Sequence, residues 1–390
     1  MTRHLIKLIW NKKKAHSLLI VEILASFTVL FGLCTMIVYN VQNYVEPLGF
    51  DYENRWAINL VNNQDTSAVA EKTLSVLQRL KAHTEIESVS QVSADLYPFS
   101  DSNEGTSVGY ENTKTSVNFV ATDEKYAKVM SINLIAGQWF NAADRVGKYI
   151  PVVINKKAED ELFGDKNPVG KILANNDNKD TWIITGVVDY YKDKAEFMTN
   201  KPTLFELLNP KNQGYLTFII KVKPDTDAAF EAEMVRDITA IVKGWSVEVN
   251  YLTDARKTKL NNTLVPVIIF LIVCGFLLVN VALGLFGVLS VSITRRRGEI
   301  GLRRALGATE GNISRQFVGE MWVLATFALV LGLLLAVQFP LLNVFDLDAG
   351  VYLLAMAVSV VIIYLLVTLC ALFPSRQAAT VQPAVALHEE

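Results

Sequence analysis

Four long apolar runs constrain what this chain can fold into. Residues 18–39 carry Glu22 as their one charge, and residues 264–293 carry none. Residues 317–342 hold only Glu320, and residues 351–373 are uncharged. A hydrocarbon core about 30 Å thick is crossed by roughly 20 helical residues. Each run is therefore expected to be a transmembrane helix, which gives four. The second run would be about 45 Å long as a helix, so it has to tilt or project beyond the bilayer. With 51% hydrophobic and 19% charged residues among 390, the chain is neither a wholly soluble enzyme nor a disordered polymer. Its net charge of −2 gives no attraction for nucleic acid.

Basic residues beside the runs set an expected orientation. Arg3, Lys7, Lys12, Lys13 and Lys14 precede the first run. Arg295, Arg296, Arg297, Arg303, Arg304 and Arg315 lie between the second and third, whereas 343–350 holds only Asp346 and Asp348. Both termini and the arginine loop (294–316) are then cytoplasmic, and residues 40–263 lie outside. The first run is longer than the apolar core of a signal peptide and lacks a small-x-small cleavage site, so it reads as a retained anchor. Before it, Leu5, Leu8, Ile9 and Trp10 sit among lysines. Segment 1–17 suits either an amphipathic helix on the inner surface or a plain positive flank. The tail after the fourth run (374–390) is short.

The external portion, 40–263, has 25 Lys plus Arg, 31 Asp plus Glu and no cysteine, since Cys34, Cys274 and Cys370 all fall inside apolar runs. It must fold on burial alone, which its size allows. Residues 55–92 alternate, then show helical spacing at Val69, Leu74, Leu77 and Leu80, then alternate again. Residues 216–253 repeat that order, with Phe230, Met234, Ile238 and Ile241 on one helical face. The stretch between (93–212) reads mostly as strand, at 116–122, 149–155, 171–174 and 181–190, with helices at 123–131 and 156–163. The expected class is thus a membrane α-helical chain with a large α+β external domain, in which one lobe is interrupted by another.

Chemistry is scarce in this sequence. His4, His16 and His388 flank the apolar runs, and no HExxH or GxSxG occurs. His83, at a helix end near Glu85 and Glu87, reads as a solvated histidine, because no second His or Cys is near to complete a metal site. Residues 164–172, GDKNPVGKI, imitate a phosphate-binding loop, but five residues separate the glycines and Ile172 follows the lysine. No catalytic residue, cofactor site or metal site is expected. The polar residues inside the runs are few, chiefly Glu22, Asn280, Glu320 and Gln338. Glu22 and Glu320 lie near run ends, where they can reach water or the basic loop, and read as structural. Ala282, Gly284 and Gly287 would admit a partner helix closely, or are simply common membrane residues.

Residues 292–320, SITRRRGEIGLRRALGATEGNISRQFVGE, are the most informative. The first part reads as the second helix continuing past the membrane until Gly307 ends it with a left-handed cap. Thr309 then caps a short second helix, 310–317. Positive flanking explains the arginines, but not Glu299 among them or a glycine-broken helix pair. A docking surface for a cytoplasmic partner explains both.

At RRRGEIGLRRALGAT the chain resembles the FtsX/MacB-type permeases of ABC transporters. The likeness extends to AGQWFNAAD (136–144), VVINKKAEDELFGDKNPVGK (152–171), ITGVVDYYKD (184–193) and FPSRQAATVQPAVAL (373–387). Gly298, where relatives often carry arginine, and Gly287, where they often carry asparagine, depart from the pattern. The resemblance implies a porter lobe (about 52–92 and 213–253) interrupted by a sabre lobe (about 93–212). It also implies a coupling helix at 310–317 seated on a separate ATPase dimer. Glu299, Arg303, Arg304 and Gly307 would shape that contact together with Thr309, Glu310, Ile313 and Phe317. The expected function is a non-catalytic permease subunit in a bacterial inner membrane with its large domain in the periplasm. It would relay the motion of its ATPase outward (mechanotransmission), for export or efflux. Expected partners are the lipid bilayer, a second permease copy or paralogue, and a membrane-fusion protein with an outer-membrane channel. A lipoprotein-releasing or cell-envelope regulatory permease is the alternative within the class. A receptor for an external ligand is the alternative outside it.

Overall fold

A computed structural model describes residues 13–93, 95–175, 181–209 and 216–379. The expected amphipathic segment up to residue 12 and the end of the tail from 380 lie outside the described residues. By its contacts the chain divides into two compact units, Met1–Gln42 with Leu264–Glu390, and Asn43–Thr263.

The first unit is helical. Helix α1 spans Lys13–Val45 and enters the second unit at its end. In chain order the second unit then contains β1 (Arg55–Val61), α2 (Val69–Ala82), β2 (Ile86–Ser93), β3 (Gly105–Tyr110), β4 (Thr113–Thr122), α3 (Tyr126–Met130), β5 (Leu134–Gly137) and β6 (Ile150–Asn155). These are followed by α4 (Lys156–Phe163), β7 (Ile172–Asn175), β8 (Thr181–Val188), β9 (Thr203–Leu207), β10 (Leu216–Val222), α5 (Ala228–Ile241) and β11 (Ser246–Tyr251). Helix α6 (Leu252–Arg295) begins in the second unit and returns to the first, where α7 (Arg297–Ala305), α8 (Glu310–Ala336), α9 (Gln338–Leu341) and α10 (Ala349–Ala379) follow.

Four helices are long and apolar enough to cross a membrane, within Leu19–Val45, Leu252–Arg295, Glu310–Leu341 and Ala349–Leu372. Their shared core includes Ile23, Phe27 and Phe31 of α1, Val281 and Leu285 of α6, Phe317, Met321 and Leu324 of α8, and Tyr352 and Met356 of α10. Two expectations need correction. The second helix does not continue through the arginines. It ends at Arg295, and α7 starts afresh at Arg297. Nor is 310–317 a helix of its own. It forms the first turns of α8, because Ile313, Phe317, Met321 and Leu324 hold one buried stripe and no proline interrupts it.

Glycines set two close approaches in this unit. A Cβ on Gly332 of α8 would lie 2.4 Å from the Phe27 ring, and one on Gly284 of α6 would lie 2.6 Å from Glu22 Oε2. Missing side chains are what let these helices touch.

In the second unit, β11-β1-β10-β2 form an antiparallel four-stranded sheet. This is the split βαβ arrangement, with α2 linking β1 to β2 and α5 linking β10 to β11. Trp56, Ile58 and Leu60 of β1 share one core with Val76, Leu80, Phe230 and Met234 of the two helices. Ala57, on the opposite face of β1, joins a second core with Phe50, Tyr126, Tyr191 and Phe205. Both faces are therefore buried, and Asn59 in this strand accepts a 2.9 Å hydrogen bond from the Thr217 hydroxyl.

Strands β3 to β9 intervene between β2 and β10. Six of them close on themselves in the order β4-β3-β7-β8-β6-β9, because β9 pairs in parallel with β4. Their interior is filled by Val108, Val152, Ile154, Leu173, Trp182 and Leu204, together with Ala158, Leu162 and Phe163 of α4. Strand β5 lies off this ring and pairs with β8. Strand β2 touches this ring through one register pair, Val92 with Thr122, while Ser93 pairs with Leu216 at the outer end of β10.

Candidate functional site

The arginine-rich hairpin is held from within. Arg296, at the break between α6 and α7, donates from one Nη to both oxygens of Glu320 on α8, at 3.0 and 3.1 Å. Gln316 also donates to Glu320, and Arg303 donates to the Gln316 side-chain oxygen at 2.6 Å and to Glu299 one turn earlier on α7. Glu320 thus draws the basic loop onto α8. Gly307 adopts φ +94°, the left-handed geometry that ends α7, and the Thr309 hydroxyl accepts from Asn312 N to start α8.

The hairpin residues singled out from the sequence fall into separate groups. Glu299 and Arg303 pair with each other on the surface of α7. The Arg304 side chain lies outside the described residues. Gly307, Thr309 and Glu310 are exposed or nearly so, at the turn. Ile313 and Phe317 are buried in the helical core and face inward. Leu302 and Leu306, which the sequence suggests as apolar contacts beside the arginines, are 52% and 81% exposed on the hairpin. Among the packing candidates, Gly284 meets Glu22 and Ala282 is half-buried. A Cβ on Gly287 would meet nothing within 4 Å among the described residues.

A second constellation lies in the second unit, around residues 192–198. The Lys192 side chain is sealed from solvent and donates to the carbonyls of Asn43 and Glu196. Burial pulls its amine below the ordinary lysine range, opposed by Glu46 and Glu196. Asn43 returns a 3.1 Å bond to the Phe197 carbonyl, and Tyr44 stacks on the Phe197 ring. Glu196 accepts Arg256, near the start of α6, at 2.7 to 2.8 Å. The Arg256 guanidinium lies 4.6 Å from the Tyr52 ring centre. Lys259, one turn further along α6, pairs with Asp101. One short segment with its neighbours therefore grips both the end of α1 and the start of α6. Composition gave no hint of this, because each partner is more than 50 residues away in sequence.

The glycine loop at 164–172 follows α4 instead of opening a helix. Gly164 and Gly170 take positive φ, and Asn167 caps a turn by accepting from Val169 N at 3.0 Å. His83 is not solvated as expected. Its side chain is 8% exposed and meets the Phe230 ring edge-on at 5.3 Å.

Comparison with known proteins follows from this architecture. A family model described as the MacB-like periplasmic core domain matches residues 24–237, more than half of the chain, and one for the FtsX-like permease C-terminal domain matches 268–383. The chain belongs to the MacB-like, FtsX-type permease family. It is accordingly a membrane protein with an external domain of the MacB-like type. Among curated relatives of this family, the "Macrolide export ATP-binding/permease protein MacB" of Sodalis glossinidius is 24% identical over 301 residues, covering 72% of this chain and 45% of the relative. "MacB 1/2" of Paracoccus denitrificans is 27% identical over 236 residues, covering 59% and 35%. The chain thus spans less than half the length of these relatives. Similar solved structures include the following two. The periplasmic region of MacB from Actinobacillus actinomycetemcomitans has 18% identity and TM-score 0.40, covering 56% of this chain and 98% of that one. The extracellular domain of the ABC-type transporter YknZ from Gram-positive bacteria has 14% identity and TM-score 0.35, covering 49% and 99%.

Proposed function

We propose that this chain is the permease component of a MacB-type ABC transporter and relays ATP-driven motion to its external domain. Both termini would be cytoplasmic and residues 40–263 periplasmic, in a bacterial inner membrane. The split βαβ sheet would be the porter lobe, and the closed ring with its helices the sabre lobe. An ATP-binding partner would dock on the hairpin of α7 and the start of α8, where Leu302 and Leu306 project. Gly287, open on α6, would face a second permease copy or paralogue.

One observation carries this reading. The hairpin is braced internally by Arg296, Glu320, Gln316 and Arg303, yet it leaves two leucines in the open. A braced surface would transmit force instead of absorbing it, and two apolar residues one turn apart on it would give a partner a point of contact. The names of the curated relatives support export as the direction of transport and macrolide-like amphiphiles as cargo. The grip of residues 192–198 on α1 and α6 would pass helix motion into the external domain.

The test replaces Leu302 and Leu306 together by glutamate. The variant is expected to insert normally, to lose co-purification with its ATP-binding partner, and to lose export. Undiminished co-purification and export would sink the proposal. The core residues Ile313 and Phe317 are unsuited to this test, since replacing them would disturb folding.

A further inference from the structure

We propose that His83, Glu233 and Asp237 form a binding site for one divalent transition-metal ion of the zinc class. The site stands apart from the transport reading and does not depend on it. His83 follows the last turn of α2, while Glu233 and Asp237 lie one turn apart on the same face of α5. One donor atom from each lies within 4.8 Å of the others.

The imidazole points to a ligand. Its side chain is over nine-tenths buried, and Nε2 is sealed from solvent without a hydrogen-bond partner among the described residues. The closest acceptor, Asp237 Oδ2, is 3.4 Å away. That oxygen is already engaged by Arg79, from Nε at 2.9 Å and Nη2 at 2.6 Å. Arg79 thus supplies one positive charge to a cluster that presents two carboxylates and a buried ring nitrogen. A second cation there would give Nε2 the partner it lacks and could draw in the Glu233 carboxylate.

The donor set suits zinc. Imidazole nitrogen binds at about 2.0–2.1 Å and carboxylate oxygen at about 2.0–2.2 Å, so tetrahedral ligand atoms stand about 3.3 Å apart. Glu233 is exposed on α5, and rotation of its side chain brings its oxygen in. Arg79 would hold Asp237 in place from outside the ligand shell. The absence of a second histidine or cysteine, which argued against a metal from sequence, does not bar a site completed by two carboxylates and water. Bound there, the ion would staple the end of α2 to α5 across the helical face of the sheet.

The experiment uses the full chain in detergent, stripped with EDTA and then freed of it. Zinc is titrated by calorimetry, and cobalt by its visible absorption. The expected result is one equivalent of binding that His83→Ala abolishes and Glu233→Gln weakens about tenfold or more, with a rise in melting temperature on adding zinc. Glu233→Gln changes an exposed residue, so it reports on the site even if His83→Ala folds poorly. Identical zinc isotherms and cobalt spectra in the native chain and in Glu233→Gln would overturn the proposal, as would a native chain that takes up no zinc.

Discussion

The Lys192 ammonium donates to the main-chain carbonyl of Asn43, so a buried cation closes the final turn of α1. The last carbonyls of a helix lack partners and carry partial negative charge, which a lysine satisfies in both respects. A residue placed 149 positions later thereby fixes where the first helix ends.

Lys192→Met should remove that closure. The carbonyls of Asn43 and Glu196 would be left buried without a donor, at a cost of about 2–4 kcal/mol. Denaturant melts of the purified chain measure the loss, and hydrogen exchange should quicken at residues 40–45. An exchange pattern there identical to that of the native chain would show that the lysine does not hold the helix end.

The two close glycines should respond differently to alanine. At Gly284 the new methyl meets the far end of the Glu22 side chain, which can swing aside, so Gly284→Ala should cost less than about 1 kcal/mol. At Gly332 it meets the Phe27 ring, itself fixed in the core, and about 2–3 kcal/mol is expected. Thermal melts in detergent rank the two. Phe27→Leu in the Gly332→Ala background should recover part of the loss.

Arg296→Gln should loosen the hairpin. Glu320 and Arg296 are each less than a fifth exposed, and an unpaired carboxylate there costs about 3 kcal/mol. Limited proteolysis should cut between α6 and α8 faster than in the native chain. Pairing this change with Glu320→Gln should restore resistance, since no charge is then left alone. If the double variant were cut as fast as the single one, the ion pair would not be what braces the hairpin.

Acid sensitivity should involve Glu124. The Arg145 guanidinium grips its carboxylate through two bonds, at 2.6 and 2.9 Å, and holds it below the usual range despite partial burial. A carboxylate lowered in the folded state stabilises above its unfolded value of about 4.3, and that contribution fades as pH falls through the folded value. Arg145→Ala should therefore lower the melting temperature at pH 7 and flatten its decline below pH 4. Parallel curves for the two proteins would contradict this assignment.

Much of the fold could be read from residue spacing, because burial imposes period. The alternation at 55–61 and the helical spacing after it stand where β1 and α2 lie, and Phe230, Met234 and Ile238 mark α5, but the buried face of α2 is Thr73, Val76 and Leu80, while the expected Leu74 is exposed. Strands β3 and β9 escaped notice. The first, GTSVGY, is poor in large apolar residues, and the second is five residues long behind Pro202. The continuity of α8 was missed because the polar turns at 310–316 read as a separate helix ahead of the apolar run, whereas one buried stripe runs through both. The turn at Gly307 and Thr309 was legible, since cap chemistry is local. Glu320 was read as reaching the basic loop, yet its specific partner Arg296 was not. The grip of Lys192 was invisible, as was the burial of His83, because both depend on which distant segments the sheet brings together.

Ser93 and Leu216 are register partners, so the chain leaves the four-stranded sheet and re-enters it at a single point. Such an arrangement is a graft junction, where one intervening module could be traded for another with the host sheet intact. Yet Asp101, Lys192 and Glu196, which hold α1 and α6, all belong to the graft. A replacement could diversify the outer surface freely, but only if it brought its own moorings for the two helices.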